Sequence, residues 1–163
     1  MPTVDMASNI NAGGHRTQSD AHTPYLVEVT VDFAAAATAK GSVLATNDII
    51  QCIDVPAETM ILNAGLEITE VTDGADGVLK FDLGTGDDVD VFVDNFDADL
   101  NTAVGTYAQN AAAFQPLVCQ SAETIDIKTI FGSGGLTSGK ARVFAVLLDV
   151  SSRGAPGIAA IGS

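Results

Sequence analysis

Basic residues are scarce in this sequence. Its 163 residues include 7 Lys and Arg against 21 Asp and Glu, which gives a formal net charge of -14 at pH 7. Nucleic acids are bound through Lys and Arg that displace counterions, and anionic membranes attract the same side chains. The composition therefore argues against a nucleic acid or a membrane surface as partner. High acidity also keeps a protein soluble, so by itself it identifies no partner.

Side chains that usually carry catalysis are scarce as well. The chain has no Trp, two Tyr and two His, and both histidines, His15 and His22, lie in its first 24 residues. Paired carboxylates could cleave glycosides, but sugar sites usually add flat aromatic platforms. No Gly-x-Ser-x-Gly, Cys-x-x-Cys or His-Glu-x-x-His motif occurs. The sequence therefore predicts no enzyme, no cofactor and no small-molecule substrate.

Cysteines and long apolar runs are also few. Cys52 and Cys119 lie in apolar strand-like segments, where a reduced thiol behaves as a small hydrophobic side chain, so we expect no disulfide. The longest apolar run, residues 143–148, is far shorter than the roughly 20 residues of a membrane helix. The first residues lack the basic start and apolar core of a secretory signal. We expect a soluble protein made in the cytoplasm.

What the sequence does contain is a series of short alternating segments. Residues 25–33 place Val27, Val29 and Val31 on one face with polar side chains between them, as in a half-buried antiparallel strand. The other strand-like segments are residues 49–55, 60–62 leading into 66–71, 78–83, 89–93, 114–119, 124–130 and 141–150. Their spacing is typical of a sandwich or barrel, and the last segment, the most continuously apolar, is predicted to be central. The predicted fold class is all-β, a single antiparallel β-sandwich of about eight strands.

Composition divides the chain into three parts. Residues 1–24 contain no aromatic residue and no hydrophobic period, so they are predicted to be an extended N-terminal arm that orders only when something holds it. Residues 25–150 form the β-sandwich domain. Residues 151–163 consist mostly of small residues and are predicted to be a flexible C-terminal tail.

Two glycine-containing motifs are interpreted as turns. Residues 134–140 match the first seven positions of a phosphate-binding P-loop, but Ala141 stands where magnesium ligation needs a hydroxyl and a strand follows instead of a helix. We interpret them as a hairpin loop between the last two strands. Asp73-Gly74 and Asp76-Gly77 likewise predict a hairpin that leads into residues 78–83, where Leu79, Phe81 and Leu83 share the inward face.

Helical character is confined to two segments. Residues 97–113 have helical leanings, which Gly105 limits to about two turns. Residues 34–40 could form one helical turn, although Gly41 and Ser42 favour a simple connection.

Acidic residues are concentrated between positions 73 and 99, where nine aspartates accompany one lysine. A hard cation such as calcium would relieve their repulsion. The spacing of Asp94, Asp97 and Asp99 does not match a calcium-binding loop, and no Glu closes it. We therefore favour a solvated acidic rim and keep a metal site as the alternative.

Several strand and turn segments together resemble a known class of proteins. They are residues 54–59, 62–71, 83–87 (Leu83-Gly-Thr-Gly-Asp87), 104–108, 122–127 and 138–150. In this pattern, which spans roughly residues 43–151, the chain looks like small β-rich virion proteins of tailed bacteriophages, above all phages of cyanobacteria and other aquatic bacteria. The resemblance implies a jelly-roll-like head decoration, or cement, protein, often trimeric, whose partner is the major capsid protein. It also implies a location on the head surface of the virion after synthesis in the host cytoplasm.

The arm would then be the segment that holds the shell. An extended chain can add a strand to a neighbouring sheet, and we assign capsid binding to Ile10, His15, Arg16, His22 and Tyr25. Two alternatives stay open. One is a glycan-binding host-attachment or fibre module, and the other is a tail or neck component present in fewer copies.

Overall fold

Two β-sheets face one another in the computed structural model of the chain, which describes residues 3–5, 23–75, 78–110 and 114–151. The elements are β1 (Thr3–Asp5), β2 (Tyr25–Asp32), α1 (Phe33–Lys40), β3 (Ile49–Val55), β4 (Thr59–Ala75), β5 (Lys80–Gly84), β6 (Val93–Asp97), β7 (Tyr107–Gln109), β8 (Leu117–Cys119), β9 (Glu123–Ile130) and β10 (Gly134–Asp149). No helix in these ranges is long and apolar enough to cross a membrane.

The strand order is that of a jelly roll. Sheet A has the order β1-β3-β9-β5-β6, and sheet B has the order β2-β10-β4-β7 with β8 also paired to β4. The chain runs outward through β2, β3, β4 and β5 and returns through β6, β7, β9 and β10, so that each returning strand pairs with its outgoing counterpart. This arrangement confirms the predicted all-β sandwich. The short strands β1, which is parallel to β3, and β8 are additions to the eight-stranded pattern.

Alternate residues of both sheets fill the core. The predicted inward residues Leu79, Phe81 and Leu83 are at most 1% exposed. Strand β10 lies between β2 and β4, which confirms its predicted central position. Its inner face consists of small and branched side chains that are buried: Ala141, Val143, Ala145 and Leu147. Period-two alternation therefore predicted the core side of β5 correctly.

Helix α1 is longer than the single turn considered from the sequence. The Asp32 carboxylate caps it by accepting a hydrogen bond from the Ala35 N–H at 3.0 Å, and Gly41 ends it in a left-handed conformation with φ 80°. The helix buries Phe33, whose ring centroid lies 5.0 Å from that of Phe81. Gly41 therefore ends a formed helix, and the simple connection favoured from the sequence was wrong.

Three local predictions fail because the strands pair across the fold. The chain leaves sheet B after Ala75 and enters sheet A at Lys80, so the Asp-Gly pairs mark a crossover instead of a hairpin. Residues 134–140 belong to β10 and pair with β4 through shifted registers, so they are not a loop. Residues 89–92 form turns, and the strand expected at 89–93 runs from Val93 to Asp97.

The helix predicted within residues 97–113 is also absent from the part of that segment the structure describes. Turns follow β6, and the short strand β7 then adds to β4. The Ile68 N–H donates to the Thr106 carbonyl at 2.9 Å, and the Gly105 N–H donates to the Ile68 carbonyl at 2.8 Å. Pairing with a long strand satisfies the backbone here, which outweighs a weak helix propensity.

Candidate assembly surfaces

One half of the outer face of sheet B is a charged ladder. Lys140 Nζ lies 2.7 Å from Glu70 Oε2 and 3.9 Å from Asp32 Oδ2. In the next row Arg142 donates to Glu67 and lies 3.6 Å from Glu28 Oε2. The hydrogen bond from Lys140 to Glu70 raises the pKa of Lys140. These groups are partly exposed and solvent screens their attraction, so their main effect is to fix the register of three strands.

The other half of that face is apolar. Its side chains project from four strands: Leu26, Met60, Val118, Phe144, Val146 and Leu148. Leu26 is 62% exposed and Val118 is 41% exposed, so this apolar half is open to water. Phe144 lies opposite Gly65, and a Cβ at Gly65 would come within 2.6 Å of the ring, so glycine is required for this contact. Exposed apolar areas are a common feature of interaction surfaces when they are large and contiguous.

The acidic rim contains one close cluster. Carboxylate oxygens of Asp82, Asp90 and Asp94 lie within 4.8 Å of one another. A hydrogen bond with Asp88, followed by desolvation and by repulsion from neighbouring carboxylates, raises the pKa of Asp90. Asp82 is buried and already accepts a hydrogen bond from Lys128 Nζ at 3.2 Å. The three carboxylates could hold a hard cation, but Lys128 already supplies a positive charge to the buried one.

Sequence reasoning placed the acidic residues on this rim but did not identify these three as neighbours. The spacing it considered, Asp94 to Asp97 to Asp99, brings only Asp94 into the cluster. Asp82 and Asp94 meet because β5 pairs with β6, and the Asn95 N–H donates to Asp82 Oδ1 at 2.9 Å.

Asp126 is a buried carboxylate that lies on β9 between two core residues, Ile125 and Ile127. It lies on β9 opposite Gly84, and it is 4% exposed. The loop after β5 passes so close to Gly84 that a Cβ there would lie 2.1 Å from the Asp88 carbonyl oxygen. Burial raises the pKa of Asp126 to about 6, a hydrogen bond with Thr124 lowers it, and Glu123 raises it. No sequence signal predicts this burial, because the loop that passes beside it is nearly 40 residues away along the chain.

Replacing Asp126 with Asn should therefore remove a pH dependence of stability. The folded pKa lies above that of an unfolded Asp, so Asp126 lowers the free energy of unfolding as the pH rises from about 4 to above 6. We expect Asp126→Asn to raise that free energy by about 1 to 2 kcal/mol at pH 8 and to change it little at pH 4. Urea unfolding across this pH range measures the effect. The exposed Asp54→Asn is the matched control, and equal changes at both pH values would contradict the assignment.

The arm residues assigned to capsid binding can be followed only in part. Ile10, His15, Arg16 and His22 lie outside the described residues, while Tyr25 begins β2 and is half-buried. Nearer the N-terminus, β1 pairs with β3 in parallel, from Thr3 opposite Ile49 to Asp5 opposite Gln51. The N-terminal segment thus does add a strand to a sheet edge, here that of its own chain.

Two open grooves lie on the described surface. One is lined by Glu58, Val118, Gln120 and Val150, and another runs along Gln51, Asp54, Pro56 and Glu123. Neither is lined by a histidine or a cysteine. Cys52 and Cys119 are free and buried, and desolvation raises the pKa of both thiols, which keeps them unreactive.

Comparison with known proteins yields a fold likeness. No protein-family model matches the sequence, and no curated protein matches it. A chain of the acidic stable capsid structure of Helicobacter pylori bacteriophage KHP30 is 14% identical with a TM-score of 0.54, over 80% of this chain and 92% of that one. A chain of the capsid of Ralstonia phage GP4 is 12% identical with a TM-score of 0.56, over 80% and 86%. A chain of the cyanophage Pam1 capsid asymmetric unit is 13% identical with a TM-score of 0.56, over 77% and 84%.

These likenesses establish a shared fold. Because the alignments cover 84 to 92% of the other chains, the match extends over nearly the whole of each. A fold alone does not determine function, so a functional conclusion needs the surfaces as well.

Proposed function

We propose that this chain is a structural protein of a bacteriophage virion, and within that class a decoration, or cement, protein. It would bind the outside of the head shell and clamp neighbouring capsomers. The observation that carries the proposal is the shared jelly roll over 84 to 92% of the length of chains from three phage capsid structures. That likeness supports the proposal that this chain belongs to a capsid, and the surfaces described next are what favour decoration over other capsid roles.

The charges of the surface favour a position on the outside of a shell. Lys40, Lys128, Lys140 and Arg142 all form ion pairs within the sandwich, so most of its basic side chains are neutralised while many aspartates stay exposed. A packaged genome repels such a surface, whereas water solvates it well at high local density.

Binding through several weak contacts supports the clamping role. In a homotrimer, three copies engage the shell together, and the second and third contacts form at a high effective concentration. The major capsid protein would supply the contact surface. The apolar half of the outer face of sheet B, together with residues 1–24, gives each copy two separate elements with which to bind.

Copy number on the particle tests this function. Purified chain is added to heads of the phage that encodes it, assembled without the chain, and bound copies are counted by quantitative mass spectrometry and electron cryo-microscopy. We expect on the order of hundreds of copies, arranged symmetrically around capsomers, and a higher temperature of shell disruption.

The control is an unrelated β-sandwich protein of similar charge, which measures adsorption without specific sites. A few or tens of copies at one vertex would contradict decoration and support a tail or neck component. Absence from the head combined with binding to host glycans would instead support an attachment module. The shortage of exposed aromatic side chains argues against glycan binding, because Tyr107 is the one strongly exposed aromatic side chain among the described residues.

A further inference from the structure

Along residues 26–32, one side of strand β2 has no neighbouring strand in the described part of the chain. Its eight residues pair with β10 without a shift in register, from Tyr25 opposite Leu147 to Asp32 opposite Lys140. Because β2 is the end strand of sheet B, the described residues place no strand on its other side. The backbone groups along that side are a template for another strand.

This edge has charged residues at Glu28 and Asp32 but lacks the other features that usually prevent pairing between molecules. Residues 26–32 contain no Pro, Gly or Lys and no bulge. Val27 and Val29 face the core but are only half-buried, and Leu26 is 62% exposed on the opposite face. The corresponding edge strand of sheet A, β3, is covered over part of its length by β1. An added strand would cover the two valines and pair the free backbone groups.

We propose that β2 pairs antiparallel with β2 of a second copy of this chain, across a two-fold axis at Val29. The contact joins the two B sheets into one continuous sheet. An isologous contact of this kind needs a strand that is complementary to itself. The alternation of β2 meets that condition, because valines then meet valines on the inner face.

Charge selects the register. Antiparallel partners share a face, so the pairing at Val29 places Val27 opposite Val31 and Glu28 opposite Thr30 of the second copy. Moving the register by one pair in either direction would place Glu28 opposite Glu28 or opposite Asp32. Like charges directly opposite one another destabilise a sheet, so the register centred on Val29 is favoured.

This contact is independent of the virion role, since it is a property of the purified chain. On a shell it would join copies that belong to different trimers. If the purified chain forms no dimer, the copy number expected on phage heads does not change. If the copy-number experiment fails, the dimer in solution is still expected.

The first test is the substitution Thr30→Glu. In the single chain the new carboxylate lies beside Arg142, which pairs with position 30, so the fold tolerates it. In the dimer the new carboxylate of each copy faces Glu28 of the other copy, so two repulsive pairs form. We expect the dimer of the unchanged chain to have a dissociation constant in roughly the micromolar to millimolar range, and Thr30→Glu should raise it by about tenfold. Sedimentation equilibrium measures this at low salt. Thr106→Glu, an exposed site near β7 at the far edge of sheet B, is the control that adds the same charge.

The second test uses cysteine cross-linking. In the proposed register Glu28→Cys and Thr30→Cys lie opposite each other, so a mixture of the two variants should form a disulfide-linked heterodimer. Each variant alone should form little, because its cysteines are diagonal neighbours about 7 Å or more apart. The buried Cys52 and Cys119 do not compete. Equal cross-linking in the mixture and in the single variants, or a dimer that Thr30→Glu leaves unchanged, would overturn the proposal, as would a chain that stays monomeric at millimolar concentration.

Discussion

Replacing Phe33 with Ala should lower the free energy of unfolding by about 3 to 5 kcal/mol. Phe33 is fully buried at the start of α1, and its ring packs on Phe81 of sheet A with centroids 5.0 Å apart. Helix α1 also contacts β10 of sheet B, so the helix that carries this side chain lies against both layers of the sandwich. Truncation removes apolar area from the core and leaves a cavity that the two sheets cannot close.

Urea unfolding followed by circular dichroism measures this loss, since the chain has no Trp. Tyr107→Ala is the matched control, because Tyr107 is 65% exposed and its loss should change stability by about 0.5 kcal/mol or less. Phe33→Leu keeps most of the volume and should cost about half as much as Phe33→Ala. A Phe33→Ala chain as stable as the Tyr107→Ala chain would show that α1 does not hold the two sheets together.

Deleting residues 1–22 should speed dissociation from phage heads by about tenfold or more. The deletion removes β1 from the edge of β3 and also removes Ile10, His15, Arg16 and His22. A copy that loses one of its linked contacts loses the effective concentration that holds the others in place. The quantity to measure is the number of copies that remain on purified heads at intervals after dilution.

A second variant separates the two parts of the arm. Residues 6–22 are replaced by a Gly-Ser segment of equal length, which leaves Thr3–Asp5 able to pair with β3. If the arm side chains bind the shell, this variant should dissociate as fast as the deletion. If it is retained like the unchanged chain while the deletion is lost, β1 alone carries the effect. Unchanged retention of both variants would remove the arm from the mechanism.

The sequence predicted those features that depend on a single strand. Alternation identified the inner faces of β2 and β5, and the continuous apolar character of β10 predicted its central place. The aspartate-rich segment also predicted an acidic rim correctly, since most of its carboxylates are exposed.

Other predictions failed where two distant segments meet. The Asp-Gly pairs after β4 have the chemistry of a hairpin, yet the chain crosses there from one sheet to the other. The burial of Asp126 was not predicted, and it is 4% exposed beside the loop after β5. The cluster of Asp82, Asp90 and Asp94 likewise exists only because β5 pairs with β6.

By itself the sequence determined that this chain is an acidic, strand-rich sandwich with a predicted inner face on β2 and on β5. That information is local, because successive side chains of a strand point to opposite sides whatever the strand pairs with. Only the tertiary structure decided which strands are neighbours, which carboxylates are buried and which edge of sheet B is left open. Those features depend on contacts between residues far apart in the chain, and the same alternation is compatible with many pairings.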